Sequence, residues 1–128
     1  EYDVYCDIPE RCLEVLKSID SPHLRLTFDP ANFIMADVKP YTEAFPQLVN
    51  YIEYLHIKDA RFSDKAIVPA GEGDGEIKEI LKELKERDFD GFLSLEPHLA
   101  TAGKAGGFSG AELFKKAALA LQKILEEI

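Results

Sequence analysis

The chain has 128 residues, 46% of them hydrophobic, and a formal net charge of -9, which suits one domain over residues 1–128 with a hydrophobic core. The acidic balance argues against a nucleic-acid-binding surface, and no apolar run is long enough to span a membrane, so neither partner is expected. The spacing of Cys6 and Cys12 matches neither a disulfide framework nor a zinc site, which favours free thiols and a cytoplasmic location.

Hydrophobic periodicity in the first half of the chain predicts helices that alternate with short strands. Residues 1–6 are expected to be extended. An apolar stripe at helical spacing follows Asp7, a candidate N-cap of a capping box. The strands are Leu24–Phe28 and Tyr54–Lys58, and a helix is expected between them over about residues 42–50.

The second half of the chain continues the alternation, with an amphipathic helix over residues 76–87, a strand over 91–95, a glycine-rich loop over 103–110 and a helix over 109–128. Such alternation predicts a parallel sheet with helical crossovers. About three parallel strands and four helices are part of a (β/α)8 barrel. The predicted fold class is therefore α/β, a partial TIM barrel that corresponds to its C-terminal half.

Each predicted strand ends in a side chain that can bind a metal: Asp29, His56 and Glu96. Parallel α/β sheets carry their sites at the carboxyl ends of the strands. Two carboxylates and an imidazole suit Mn²⁺, Mg²⁺, Co²⁺ or Zn²⁺. Each residue also has a structural interpretation: a helix cap for Asp29, a core or surface position for His56, and an ion pair for Glu96.

Further polar residues are candidates for substrate binding. Lys58 and Arg61 can hold an anionic or hydroxylated substrate, or can pair with Glu72. Asn32 lies three residues after Asp29 and can hydrogen-bond a substrate hydroxyl. Glycines at positions 71, 73 and 75 predict a turn that directs Glu72 towards the strand ends; a phosphate loop is disfavoured because nearby carboxylates would repel phosphate. His98 lies on the side of Glu96 if the strand continues.

Four motifs in a fixed order resemble the xylose-isomerase-like TIM-barrel superfamily, which comprises sugar and sugar-phosphate isomerases and epimerases and is related to endonuclease IV. They are Phe28-Asp29-Pro30-Ala31-Asn32-Phe33, Leu55-His56-Ile57-Lys58-Asp59-Ala60, Pro69-Ala70-Gly71-Glu72-Gly73-Asp74-Gly75 and Leu95-Glu96-Pro97-His98. The resemblance implies that Asp29, His56 and Glu96 are the last three of four metal ligands. The fourth, a glutamate, would precede residue 1; the alternative register makes it Glu1.

The resemblance implies a divalent-metal-dependent sugar or sugar-phosphate isomerase or epimerase, in which Glu96 transfers a proton next to a carbonyl through a metal-stabilised enediolate. We expect this activity to be incomplete in the chain, because the partner glutamate and the first four strands are missing. Exposed strand edges predict self-association or a missing N-terminal half-barrel as partner. One alternative is a non-catalytic half-barrel or assembly module with a vestigial metal site. A phosphodiesterase like endonuclease IV is less favoured because of the acidic charge.

Overall fold

The computed structural model describes residues 2–99 and 110–128, which form helices around a short parallel sheet. The strands are β1 (Leu26–Phe28), β2 (Ile52–Ile57), β3 (Asp59–Ala60), β4 (Ile67–Val68) and β5 (Phe92–Leu95). The α-helices are α1 (Pro9–Ile19), α2 (Pro30–Met35), α3 (Phe45–Leu48), α4 (Ile77–Glu86) and α5 (Gly110–Glu127).

The sheet has three strands in the order β1-β2-β5, and both pairings are parallel. His56 in β2 lies opposite Ser94 in β5, and Phe28 at the end of β1 lies opposite Leu55. Helices connect the successive strands of this sheet. The predicted α/β alternation is thus confirmed, and the carboxyl ends of all three strands meet at one edge.

The core lies between the sheet and the helices that cover it. Phe28 and Leu55 on the strands are fully buried, as are Phe45 of α3 and Ile80 of α4. The Phe28 ring packs edge-on against the Phe45 ring, with centroids 5.9 Å apart. Burial of each such side chain stabilises the fold by about 1.5–3 kcal/mol, and the strands and helices that carry the polar residues are thereby fixed in place.

Two expectations for the N-terminal segment were wrong. Residues 1–6 are not extended throughout, since Tyr5–Asp7 forms a 3-10 turn. Asp7 does not cap α1: the N-cap is Ile8, without a capping side chain. The Asp7 carboxylate instead accepts a hydrogen bond from Arg11 at 3.0 Å. Pro9 begins α1, where its missing N–H costs nothing.

The helix expected over residues 42–50 is a run of changing pitch. A π-helical turn, Pro40–Ala44, leads into α3, and a 3-10 turn, Val49–Tyr51, follows. Pro46 lies in the first turn of α3, and its lack of an N–H removes one hydrogen bond of a regular α-helix. The short helix α2 was also not expected, so the described residues hold five α-helices where the whole chain was expected to hold four.

Three expectations concern other parts of the chain. Most of the glycine-rich loop predicted over residues 103–110 lies outside the described residues. The predicted start of the last helix, at residue 109, lies outside them as well, and so does Glu1. Cys6 and Cys12 are free thiols, and burial raises the pKa of Cys12 to about 11. Among the described helices, none is both long and apolar enough to cross a membrane.

Candidate metal centre

Three metal-capable side chains lie together at the carboxyl edge of the sheet. Asp29 directly follows β1, His56 is the penultimate residue of β2, and Glu96 directly follows β5. One ligand atom from each lies within 4.8 Å of the other two. The sequence therefore predicted a cluster that the parallel register brings together.

The histidine nitrogen Nδ1 occupies the middle of this cluster. It lies 3.4 Å from Asp29 Oδ2 and 3.3 Å from Glu96 Oε2. Asp29 is buried, while the side chains of His56 and Glu96 are 31% and 32% exposed. The cluster is thus open to solvent on the side of His56 and Glu96 and closed on the side of Asp29.

Asp29 has two roles, one for each carboxylate oxygen. Its Oδ1 accepts a hydrogen bond from the Asn32 backbone N–H at 3.1 Å and caps α2, which begins at Pro30. Its Oδ2 faces His56. The capping interpretation of Asp29 is therefore confirmed, and the cap fixes the carboxylate in an orientation that leaves its other oxygen beside His56.

The pKa values of Asp29 and His56 are shifted in opposite directions. Burial pushes the pKa of Asp29 upwards, but the hydrogen bond with His56, the Lys58 charge and the Asn32 N–H together hold it below its usual value. The hydrogen bond with Asp29 raises the pKa of His56, which burial opposes and the negative charge of Glu96 supports. Without a metal, the pair thus favours an imidazolium next to a carboxylate.

Lys58 belongs to the same cluster. Its Nζ lies 3.0 Å from Glu96 Oε2 and 3.6 Å from Asp29 Oδ2, and its side chain is only 10% exposed. Lys58 is two residues after His56, and alternate residues of an extended strand face the same side. The ammonium therefore contacts the same two oxygens that face the imidazole.

Two of the three ligand pairs in the cluster lie at distances that a single divalent cation can bridge. Ligand atoms that are each about 2.1 Å from one ion can be up to about 4.2 Å apart, and Nδ1 of His56 is 3.4 Å and 3.3 Å from the two carboxylate oxygens. Carboxylate and imidazole ligands suit Mn²⁺, Mg²⁺, Co²⁺ and Zn²⁺ to different degrees. Asp29, His56 and Glu96 are thus the residues that can hold the ion.

The other candidate substrate-binding residues lie in different surroundings. Asn32 is buried on α2, three residues after Asp29. Arg61 donates two hydrogen bonds to Asp64, at 3.2 Å and 2.8 Å. The side chain of Glu72 is 56% exposed and lies 3.9 Å from Lys116 on α5. Neither Arg61 nor Glu72 has a contact with the cluster among the hydrogen bonds and ion pairs of the described residues.

His98 is closer to the cluster than the sequence indicated. Its Nε2 lies 3.4 Å from Glu96 Oε1, the oxygen that does not face His56. The backbone of His98 has a φ of 43°, so the strand does not simply continue past Pro97. The spacing of two residues between Glu96 and His98 indicated that they could share a side, but it did not predict the change of backbone direction that brings the His98 ring to Glu96.

Asp59 is a buried carboxylate whose role the sequence analysis missed. Its two oxygens accept hydrogen bonds from the backbone N–H groups of Ala60, Gly71 and Gly75 at 2.8 Å each and of Gly73 at 3.1 Å. A Cβ on Gly75 would lie 2.5 Å from Asp59 Oδ1, and one on Gly73 would overlap the same oxygen. The glycines at 71, 73 and 75 therefore wrap around this carboxylate, and their spacing was the signal for it.

Residues 2–124 match the family model that is described as xylose isomerase-like TIM barrel. The chain belongs to this family. An uncharacterized protein of Methanocaldococcus jannaschii is 34% identical over 89 residues, which are 69% of this chain and 30% of that protein. The resemblance that the four motifs indicated is thus confirmed.

Solved structures match the fold over nearly all of this chain. A xylose isomerase domain protein from Planctomyces limnophilus has a TM-score of 0.75 at 22% identity, and the chain covers 46% of it. A D-tagatose 3-epimerase-like protein has a TM-score of 0.72 at 29% identity, with 42% covered. The probable 3-DHS dehydratase AsbF of Bacillus anthracis has a TM-score of 0.67 at 24% sequence identity, and the chain covers 46% of it. The predicted partial TIM barrel is confirmed, and the chain spans less than half the length of these proteins.

Proposed function

We propose that this chain carries the metal-binding part of a divalent-metal-dependent sugar or sugar-phosphate isomerase or epimerase. The convergence of Asp29, His56 and Glu96 at three adjacent strand ends carries the proposal. The family match and the 29% identity to a D-tagatose 3-epimerase-like protein support the reaction class. The proposal treats residues 1–128 as one domain, the C-terminal half of a cytoplasmic barrel enzyme.

Asp29, His56 and Glu96 would hold the divalent ion, which when bound would supply a Lewis acid for negative charge on the substrate oxygens. Glu96 would remove a proton from the carbon next to the substrate carbonyl and return one. Its Oε1 contacts His98, at 3.4 Å, and that ring would orient the carboxylate. Burial of Asp29 keeps water from one side of the cluster.

Substrate hydroxyl or phosphate groups would be held by residues around this edge. Lys58 lies within the cluster, and Asn32 is on the helix that begins next to Asp29. Arg61 and Glu72 are the more distant candidates, and their present contacts with Asp64 and Lys116 would have to exchange for substrate. The proposed substrate class is a ketose or a ketose phosphate.

A second candidate is a half-barrel module without catalytic activity. This module is favoured by one observation: Phe92 of the edge strand β5 is 72% exposed. An exposed apolar edge strand can pair with a strand of another chain. Its partner would be a second copy or an N-terminal half-barrel. A defined dimer in sedimentation, together with no turnover of any ketose, would support this module.

Exchange of substrate hydrogen with solvent tests the enzyme proposal. The chain is incubated in D₂O with Mn²⁺ and a panel of ketoses and ketose phosphates, and deuterium next to the carbonyl is measured by mass spectrometry. Exchange at one carbon needs only one acid–base group, so we expect it in the wild type even where the full isomerisation or epimerisation does not occur. Glu96→Gln should lose about a hundredfold or more, since a positioned acid–base group contributes roughly 10²–10⁴-fold.

Lys78→Met is the matched control, because Lys78 pairs with Glu127 on the outer helices. It should exchange at the wild-type rate. Equal exchange by Glu96→Gln and wild type would remove Glu96 from the chemistry. No exchange by a wild type that binds Mn²⁺ would leave the module as the better description.

A further inference from the structure

In the candidate metal centre, the Lys58 ammonium lies next to the same two carboxylate oxygens that a bound metal ion would use. Lys58 Nζ contacts Glu96 Oε2 at 3.0 Å and Asp29 Oδ2 at 3.6 Å. His56 Nδ1 faces those same two oxygens at 3.3 Å and 3.4 Å. The carboxylate atoms that a metal would use are therefore also the atoms that the ammonium contacts.

The charge count of the cluster makes this competition consequential. With His56 neutral, as a metal ligand must be, two carboxylates and one ammonium leave one net negative charge. A divalent ion would turn that into one net positive charge. Because the Lys58 side chain is only 10% exposed, solvent screens its repulsion of the ion incompletely.

We propose that Lys58 is the internal counter-cation of the metal centre and sets its affinity for a divalent ion. The ammonium offsets one of the two negative charges of Asp29 and Glu96 while no metal is bound, and it opposes the entry of the metal. A third negative charge, from a further carboxylate or an anionic substrate, would restore neutrality with both cations present. This inference rests on the metal site of the proposed function and adds the residue that regulates it.

The test compares Mn²⁺ affinity among variants at position 58 of the whole chain by isothermal titration calorimetry. Lys58→Met and Lys58→Gln remove the charge, whereas Lys58→Arg keeps it. We expect the two neutral variants to bind Mn²⁺ about tenfold more tightly than wild type, and the arginine variant to stay within about threefold, since removal of a unit charge close to a divalent ion outweighs the loss of a side-chain contact. Lys78→Met, which removes an exposed lysine from a different ion pair, should match the wild type.

Thermal stability in a chelator provides a second readout. Lys58→Met should melt below the wild type without metal, because two neighbouring carboxylates lose their counter-cation, and Mn²⁺ should raise its melting temperature more than that of the wild type. Lys58→Gln, which keeps hydrogen-bond donors, serves if the methionine variant fails to fold.

The outcomes separate this inference from the proposed function. Neutral variants that bind Mn²⁺ with wild-type or lower affinity would overturn the role of Lys58 and leave the metal site in place. Tighter binding by the arginine variant as well would show that shape, not charge, sets the affinity, and would also overturn it. No Mn²⁺ binding by any variant would overturn the metal site and the inference together.

Discussion

His56 and Asp29 stabilise each other only while both are charged. The pKa of His56 is raised by its hydrogen bond with Asp29, and a raised pKa gives a contribution that is complete below the unfolded value and is lost as the pH rises through the folded value. The pKa of Asp29 is lowered, so its contribution is complete above its unfolded value and is lost as the pH falls. Without metal, the pair therefore stabilises the fold most between about pH 4 and 6.5.

This predicts a pH-dependent cost for removal of the imidazole. In a chelator, His56→Gln should lower the free energy of unfolding relative to wild type at about pH 5.5, and the difference should shrink as the pH rises through the raised pKa of His56. Denaturant titrations at several pH values measure it. His23→Gln, at an exposed histidine before β1, is the control for the loss of an imidazole outside the cluster. A constant difference across this range would contradict the pairing of His56 with Asp29.

The cluster residues were predictable because a residue that ends a parallel strand has a defined place. Asp29, His56 and Glu96 each followed or ended an apolar run, and parallel pairing brought them together. The contact of His98 with Glu96 was not predictable, because it depends on a residue with positive φ after Pro97. The ion-pair partner of Arg61 was also not predicted. Arg61 pairs with Asp64, three residues later in the sequence, and not with Glu72.

At the level of elements, the turn over residues 71–75 is organised by one carboxylate. Asp59 is 1% exposed and accepts four backbone hydrogen bonds. Burial raises its pKa, and the N–H groups of Gly75, Gly71, Gly73 and Ala60 oppose that rise. The turn connects β4 of the antiparallel pair β3–β4 with α4, and Asp59 holds this connection in place.

Truncation of this carboxylate should destabilise the fold. Asp59→Ala leaves several buried N–H groups without an acceptor, and the expected loss is about 3 kcal/mol or more, since each unsatisfied group costs roughly 1–3 kcal/mol. Chemical denaturation followed by circular dichroism measures the loss. Asp64→Ala, at an exposed carboxylate paired with Arg61, should change stability far less. A loss below about 1 kcal/mol in Asp59→Ala would mean that the turn holds without its acceptor.

Elements with a strong apolar period were predicted well, and short ones were not. α4 and the three strands of the sheet lie where their periodicity indicated. α2 has six residues, too few for a helical stripe, and its signals were Asp29 and Pro30 at its start. The antiparallel pair β3–β4 has two residues in each strand, and two residues carry no periodicity. Proline in the segment before β2 changed the pitch of a helix that the apolar pattern alone would have left regular.

The structure as a whole is part of a barrel, and some of its apolar surface is exposed. Phe92 and Leu93 on the edge strand β5 are 72% and 38% exposed, and Phe114 on α5 is 49% exposed. The sequence indicated α/β alternation and hence part of a barrel, because strand and helix periods differ along the chain. The exposed strand edges predict self-association or a half-barrel partner, but the sequence does not distinguish the two, because a pattern in one chain carries no information about a partner's surface.

If Asp29, His56 and Glu96 form one cation site, as we propose, Mn²⁺ bound there should broaden the NMR signals of nearby residues. Amide signals of the ¹⁵N-labelled chain are followed while substoichiometric Mn²⁺ is added. We expect broadening to be strongest around residues 29, 56 and 96, and His56→Ala to abolish it there. Broadening centred on the acidic turn over residues 71–75, or unchanged broadening in His56→Ala, would contradict the claim.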